Sequence, residues 1–200
     1  MGEQADTRRL YRRARRAEDL PWHRRRPHAW VMEAANEGGP LRVLDLGCGA
    51  GVDAVALAQA GHHVTAVDRD PKAVRWTRQR ADDAGVRIRV EQADVLALPA
   101  DRFDLVVDLG CLHSLRGDAR KRYFELLHER VAPRGQYILM HFIKRALWDV
   151  RRRGPVRARP EALERALNPW MQVRRRRTER HPGRAGLGPV SSLTLWGRRR

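Results

Sequence analysis

Between residues 41 and 142, short apolar runs alternate with longer stretches whose apolar positions recur every three or four residues. That is the rhythm of strands joined by crossover helices. LRVLDL (41–46) predicts a strand, and GVDAVALAQAG (51–61) predicts the helix that follows it. HVTAVD (63–68) predicts a second strand, after which Asp70 and Pro71 supply an N-cap and a first-turn proline for a helix that stops at Gly85. VRIRVEQAD (86–94) alternates as a half-buried strand, and the more continuously apolar FDLVVDL (103–109) suits the centre of a parallel sheet. In DARKRYFELLHERV, Tyr123, Phe124, Leu127 and Val131 share one helical face, and APRG closes that segment before a strand at GQYILMHF (135–142).

The rhythm changes outside this stretch. Residues 7–20 read as a basic helix, PWHRRRP as a break, and residues 28–37 as another helix. Beyond Phe142, RRRGPVRAR reads as a loop and PEALERAL as a short helix begun by Pro160 and Glu161. WMQVRRRRT and VSSLTLWG read as an antiparallel pair at the sheet edge, joined by a turn at HPGRAGLGP, with alternate members of Arg174 to Arg177 pointing to solvent. The expected architecture is α/β: a Rossmann-like, doubly wound, seven-stranded sheet, mostly parallel, with an antiparallel C-terminal hairpin. Residues 1–40 form a basic N-terminal helical segment, and residues 41–200 form the core, with 143–170 on its acceptor side.

Composition narrows the class. The 200 residues suit one ordinary core, and 42% hydrophobic content argues against wholesale disorder. No window approaches the ~18 apolar residues of a membrane span, and the first residues lack the apolar stretch of a signal peptide. Two cysteines, Cys48 and Cys111, cannot build a disulfide framework, which fits a reducing cytoplasm. The net charge of +17 is unevenly placed. Residues 41–140 hold 15 basic and 14 acidic groups, whereas residues 141–200 hold 17 and 4. Arginine outnumbers lysine heavily, as either coding bias or selection for phosphate binding would produce.

VLDLGCGAG places Gly47, Gly49 and Gly51 in the turn from the first strand to the first helix, where glycine lets a backbone approach a ligand closely. Asp68 ends the second strand 17 residues past Gly51, near the spacing at which an acid reaches ribose hydroxyls in nucleotide-binding folds. Asp94 follows the third strand at the same sheet edge. Turn-capping remains an alternative for Asp45 and Asp94, and a helix N-terminal preference for Asp53.

With these residues in place, the chain resembles a class I S-adenosylmethionine-dependent methyltransferase over residues 18–197. The resemblance implies S-adenosyl-L-methionine as cofactor and S-adenosyl-L-homocysteine as product. It implies Asp45 with Gly47, Cys48, Gly49 and Gly51 at the methionine end, Asp68 at the ribose, Arg69 beside the base, Asp94 and Val95 at the adenine edge, and Leu109 within the cofactor site. LPWHRRRPHAW (20–30) and the D-x-G-C-x-H element of residues 108–113 resemble the thiopurine S-methyltransferase-like branch. That resemblance implies a lid with Trp22 as aromatic cover and His23 and His28 nearby. A NAD-dependent dehydrogenase would carry G-x-G-x-x-G, but this chain reads G-C-G-A-G.

The acceptor is less constrained. There is no D/N-P-P-Y/F motif, Cys111 lacks a preceding proline, and His141 and Phe142 stand where an acidic metal-ligand pair would be expected. No metal is therefore implied. His113 is the candidate for taking or steering an acceptor proton, because an unperturbed histidine titrates near neutrality; a structural hydrogen-bonded histidine is the alternative. The expectation is methyl transfer to sulfur, oxygen or nitrogen of a small molecule, with non-specific nucleic-acid contact. The alternatives are an RNA-directed methyltransferase using the arginine-rich ends and a non-catalytic nucleic-acid-binding protein of the same fold.

Overall fold

A computed structural model describes residues 2–98, 100–143, 157–181 and 190–199. Seven strands form a single sheet in the order β3-β2-β1-β4-β5-β7-β6. They are β1 (Arg42–Leu46), β2 (His63–Asp68), β3 (Arg89–Gln92), β4 (Phe103–Asp108), β5 (Val131–Phe142), β6 (Met171–Arg180) and β7 (Val190–Arg198). The first five are parallel, and β7 inserts antiparallel between β5 and β6. The helices are α1 (Gly2–Arg13), α2 (Ala29–Ala35), α3 (Val52–Gln59), α4 (Pro71–Asp83), α5 (Gly117–Arg130) and α6 (Pro160–Leu167). Among the described residues no helix is long and apolar enough to cross a membrane.

Alternation along the strands sends side chains into two cores. Val43, Leu105 and Val107 meet Trp30, Ala34, Ala54 and Leu57 of α2 and α3 on one face. Leu44, Val106, Tyr137 and Leu139 meet Tyr123, Leu127, Leu163 and Leu167 of α5 and α6 on the other. A third cluster, Tyr11, Ala14 and Leu20 against Ala73, fastens the N-terminal segment to α4. Lys72 strengthens that contact by donating from Nζ to the carbonyls of Tyr11, Arg12 and Ala14 at 2.8, 3.0 and 2.9 Å.

Several boundaries differ from expectation, each for a local reason. The third strand shortens to Arg89–Gln92, because the Val86 N–H caps α4 at the Ala81 carbonyl (3.0 Å) instead of entering the sheet. APRG lies inside β5, where the pairing with β4 shifts register and Arg134 takes a left-handed φ of 64°. The basic N-terminal helix ends at Arg13 and gives way to a 3-10 turn at Ala17–Asp19. Arg174 to Arg177 are all exposed, not alternately so, because β6 is an edge strand whose register shifts between Val173 and Arg175. The turn at HPGRAGLGP lies outside the described residues apart from His181, as does most of RRRGPVRAR.

Candidate active site

In an open parallel sheet, ligands bind beyond the carboxyl ends of the strands where strand order reverses. Here the reversal falls between β1 and β4. Asp45, Asp68 and Asp108, from the carboxyl ends of β1, β2 and β4, are all buried at that edge.

The turn after β1 is tightly built. The Gly47 and Cys48 N–H groups donate to the Val67 carbonyl at 2.8 and 3.0 Å. Thr77 Oγ1 donates to the Gly49 carbonyl at 3.1 Å, and Arg80 Nε to the Ala50 carbonyl at 2.8 Å. Gly51 has φ +71°, and a Cβ there would meet Thr77 Cγ2 at 2.7 Å, so only glycine fits. Asp68 accepts from the Gly49 N–H at 3.1 Å and from the Asp70 N–H at 2.9 Å, joining the acid of β2 to the turn of β1. Burial raises its pKa above the usual carboxylate range against the pull of those two bonds. Burial and the neighbouring Asp53 hold Asp45 well above that range. Arg69 is half-buried beside Asp68.

Tyr11, Trp22 and Trp76 stand over this turn. The Tyr11 ring lies 5.7 Å from Trp22 and 6.0 Å from Trp76, and its hydroxyl is 3.8 Å from where a Gly49 Cβ would be. Trp22 remains 42% exposed. His28 is a structural tie at the start of α2: its N–H donates to Asp53 Oδ1 at 2.7 Å, and its Nε2 lies 3.3 Å from Glu179. Asp53, read from sequence only as a helix N-terminal acid, also pairs with Arg24 and so anchors the segment that carries Trp22. His23 lies 3.8 Å from Glu18.

Asp94 caps a 3-10 turn by accepting from the Leu96 N–H at 2.9 Å, with half-buried Val95 following. Leu109 is half-buried after β4. Cys48 Sγ is 3.5 Å from Thr77 Oγ1, and burial pushes both the Cys48 and Cys111 thiols well up, away from the reactive thiolate.

The loop after β4 is hung from one carboxylate. Asp108 accepts from the N–H groups of Gly110 (2.9 Å), Cys111 (2.6 Å) and Leu112 (2.9 Å) and from the Tyr123 hydroxyl (2.6 Å). It thereby fixes His113, whose ring lies 5.1 Å from Phe142 and 6.1 Å from His141. The expectation that His113 titrates near neutrality is corrected: burial, with His141 and Arg120 adding to it, lowers its pKa to about 3. His113 is a neutral imidazole at physiological pH and a weak base. Its Nδ1 is buried with no hydrogen-bond partner.

The sequence alone does not mark Tyr11, Thr77, Arg120 or the positioning role of Asp53, and it marks Asp108 only as the first residue of the D-x-G-C-x-H element. Asp108 could also be found as a third acid at a strand end, in the same place as Asp45 and Asp68. Tyr11 and Arg120 sit in helices whose dominant signal is charge, and nothing local marks them. Among the described residues no group of three or more His, Cys, Asp or Glu is placed to hold a metal ion. A cleft of about 480 Å³ opens at the opposite, amino-terminal edge of the sheet. Of its arginines, Arg42 is paired with Asp104, and Arg89 with Glu91 and Asp101.

Residues 43–135 match a family described as a methyltransferase domain. The 2-heptyl-1-hydroxyquinolin-4(1H)-one methyltransferase of Mycobacteroides abscessus is 28% identical over 130 residues, covering 63% of this chain and 57% of that one. The chain spans about half the length, or less, of the curated relatives it matches. The N-methyltransferase NodS of Bradyrhizobium japonicum, solved with S-adenosyl-L-homocysteine, superposes with a TM-score of 0.77 at 22% identity, covering 99% of this chain and 98% of that one. The 1,6-didemethyltoxoflavin-N1-methyltransferase of Burkholderia thailandensis, solved with 1,6-didemethyltoxoflavin and S-adenosyl-L-homocysteine, does so with a TM-score of 0.69 at 24% identity, covering 98% and 84%. The chain thus has the seven-stranded α/β fold of S-adenosylmethionine-dependent methyltransferases, and its residues 43–135 match a methyltransferase domain in sequence.

Proposed function

We propose that this protein transfers the methyl group of S-adenosylmethionine to a sulfur, oxygen or nitrogen atom of a small molecule. The observation that carries the reading is the joint between Asp68 and Gly49, which sets a buried carboxylate against the glycine turn at the reversal point of the sheet. The residues present fit the cofactor. Asp68, buried and raised in pKa, gains from ribose hydroxyl donors. Asp45, held high beside Asp53, gains from a cationic methionine end. The bound cofactor supplies an electrophilic sulfonium methyl group, so the protein's contribution is alignment and exclusion of water.

Gly47, Cys48, Gly49 and Gly51 give the cofactor a close backbone wall, and Arg69, Asp94, Val95 and Leu109 flank it. Trp22, carried over Tyr11 by the Arg24–Asp53 pair, acts as the lid that limits water access. His113, neutral through the physiological range, orients the acceptor or accepts a hydrogen bond from it at Nδ1.

The small-molecule reading is favoured over the RNA-directed one because three of the five arginines of β6 already have acidic protein partners. Arg175 pairs with Glu37, Arg176 with Glu164 at 2.5 Å, and Arg177 with Glu33 at 3.5 Å. Any nucleic-acid contact is then proposed to be non-specific and salt-sensitive.

The test is incubation with methyl-labelled S-adenosylmethionine in the presence of small thiols, phenols, hydroxylated heterocycles and amines, alongside cellular RNA and protein. Label in a small molecule is the expected result. Label confined to RNA or protein would overturn the acceptor class. Trp22→Ala is expected to weaken cofactor retention and turnover together.

A further inference from the structure

Arg120, in the first turn of α5, does not behave like its exposed neighbours Lys121 and Arg122. It is half-buried and reaches back to the carboxyl end of β5, where Nη1 and Nη2 lie 3.3 and 3.4 Å from His141 Nε2. Its guanidinium also sits 5.8 Å over the Phe124 ring. His141 Nδ1 lies 2.8 Å from the Phe142 carbonyl, which can only accept, so that nitrogen carries the proton and Nε2 presents a bare lone pair to Arg120. The cation is therefore met by a neutral group. Two of its five donors share one lone pair, and the described residues place no carboxylate within ion-pair distance of it. The buried acid whose charge is felt at Arg120, Asp108, already accepts four hydrogen bonds from its own loop and Tyr123.

The surroundings show the same imbalance. His113 abuts His141 edge-on and keeps an unpartnered, buried Nδ1. Burial first, and Arg120 after it, lowers the pKa of His141 to about 4, so neither imidazole adds charge at neutral pH. The cluster belongs to the loop that meets the glycine turn, since a Cβ on Gly47 would lie 3.2 Å from Cys111 Cβ. It is thus on the β4–β5 side of the site, across from Asp45 and Asp68.

We propose that Arg120, backed by the neutral imidazoles of His141 and His113, is a subsite for an ionised carboxylate carried by the methyl acceptor, so that the acceptors are small organic acids. This inference rests on the methyltransferase reading and names its substrate class. The planar guanidinium fork matches a carboxylate in a bidentate arrangement that a lysine cannot reproduce. The His113 imidazole N–H then has an acceptor beside it, or its free nitrogen receives a donor from the same molecule.

The test uses the protein saturated with S-adenosylhomocysteine and labelled at histidine for NMR, with benzoate as probe and benzamide as its neutral counterpart. Benzoate is expected to shift the His141 and His113 imidazole signals saturably. Benzamide is expected to bind roughly 10- to 100-fold more weakly, the range set by losing a charge-assisted hydrogen bond. Arg120→Gln is expected to remove the preference and Arg120→Lys to restore it in part, with S-adenosylhomocysteine affinity reporting that each variant is folded. Equal responses to the two probes, no response to benzoate, or a benzoate response that survives Arg120→Gln would overturn the proposal. Failure to bind S-adenosylhomocysteine at all would instead overturn the methyltransferase reading, and the same titration on the free protein would still decide whether Arg120 takes a carboxylate.

Discussion

At the carboxyl ends of β1 and β2 the buried carboxylates Asp45 and Asp68, with Asp53 close behind, face the site; at the ends of β4 and β5 the buried carboxylate Asp108 is taken up by its own loop and Tyr123, and the groups beside it are His113 and His141 under the charge of Arg120. One cause, burial, moves the two halves in opposite directions. It raises the acids and lowers the imidazoles, so in each half the charged form is penalised unless a ligand of opposite sign offsets the burial. A sulfonium donor suits the first half and an ionised acceptor the second. The halves also differ in construction. The β1 turn spreads its support over Val67, Thr77 and Arg80, whereas the β4 loop hangs on Asp108.

The largest expected effect breaks that difference in construction. Asp108→Ala leaves three backbone N–H groups and the Tyr123 hydroxyl without their acceptor and should cost about 3–5 kcal/mol in urea unfolding. Thr77→Val, on the other side, removes the neutral hydrogen bond to the Gly49 carbonyl and the weak one with Cys48 Sγ and should cost about 1 kcal/mol. Similar losses from the two would show that the β4 loop has support beyond Asp108.

The second effect separates the halves by pH. The folded pKa values of His113 and His141 lie below the unfolded value of 6.5, so the stability tied to their neutrality is complete above about pH 6.5. It is lost as pH falls from there toward about 4 for His141 and about 3 for His113, because the unfolded chain takes up protons that the folded one refuses. Each imidazole contributes a slope of about 1.4 kcal/mol per pH unit in that window. Asp45 and Asp68 have the opposite sign: their raised folded pKa values give stability that is present at low pH and lost as pH rises through them. Chemical unfolding of a His113→Gln, His141→Gln variant should therefore show a shallower acid-side loss than the parent, the remainder coming from His23 and His62, whose pKa values burial also lowers. An unchanged slope would mean that the imidazoles charge freely in the fold.

The smallest effect concerns the basic surface. Glu33→Ala and Glu37→Ala should each change stability by at most about 1 kcal/mol, because the pairs with Arg177 and Arg175 are exposed. They should, however, strengthen salt-sensitive RNA retention in filter binding, by freeing arginines. No gain in retention would show that these arginines do not govern nucleic-acid contact.

The sheet was legible because strand and helix periodicities differ and because glycine, Asp-Pro and Pro-Glu punctuate the chain where elements end. Asp68 and the glycine turn were legible for the same reason: strand ends converge on one edge by topology alone. What was not legible depends on distant partners. Arg120 looks like its neighbours in RKR until α5 is set against His141 on β5. The run Arg174 to Arg177 on β6 suggests a polyanion site until α2, the residues just after it and α6 bring Glu33, Glu37 and Glu164 to Arg177, Arg175 and Arg176. His113 looks like a neutral-pH base until Phe142 and His141 remove its water.

The division of the site is tested most directly by titration calorimetry with S-adenosylhomocysteine on three proteins. The parent should bind, Asp68→Ala should bind about 10- to 100-fold more weakly, and Arg120→Gln should bind as the parent does. No binding by the parent at millimolar ligand, or an equal loss in both variants, would contradict the account.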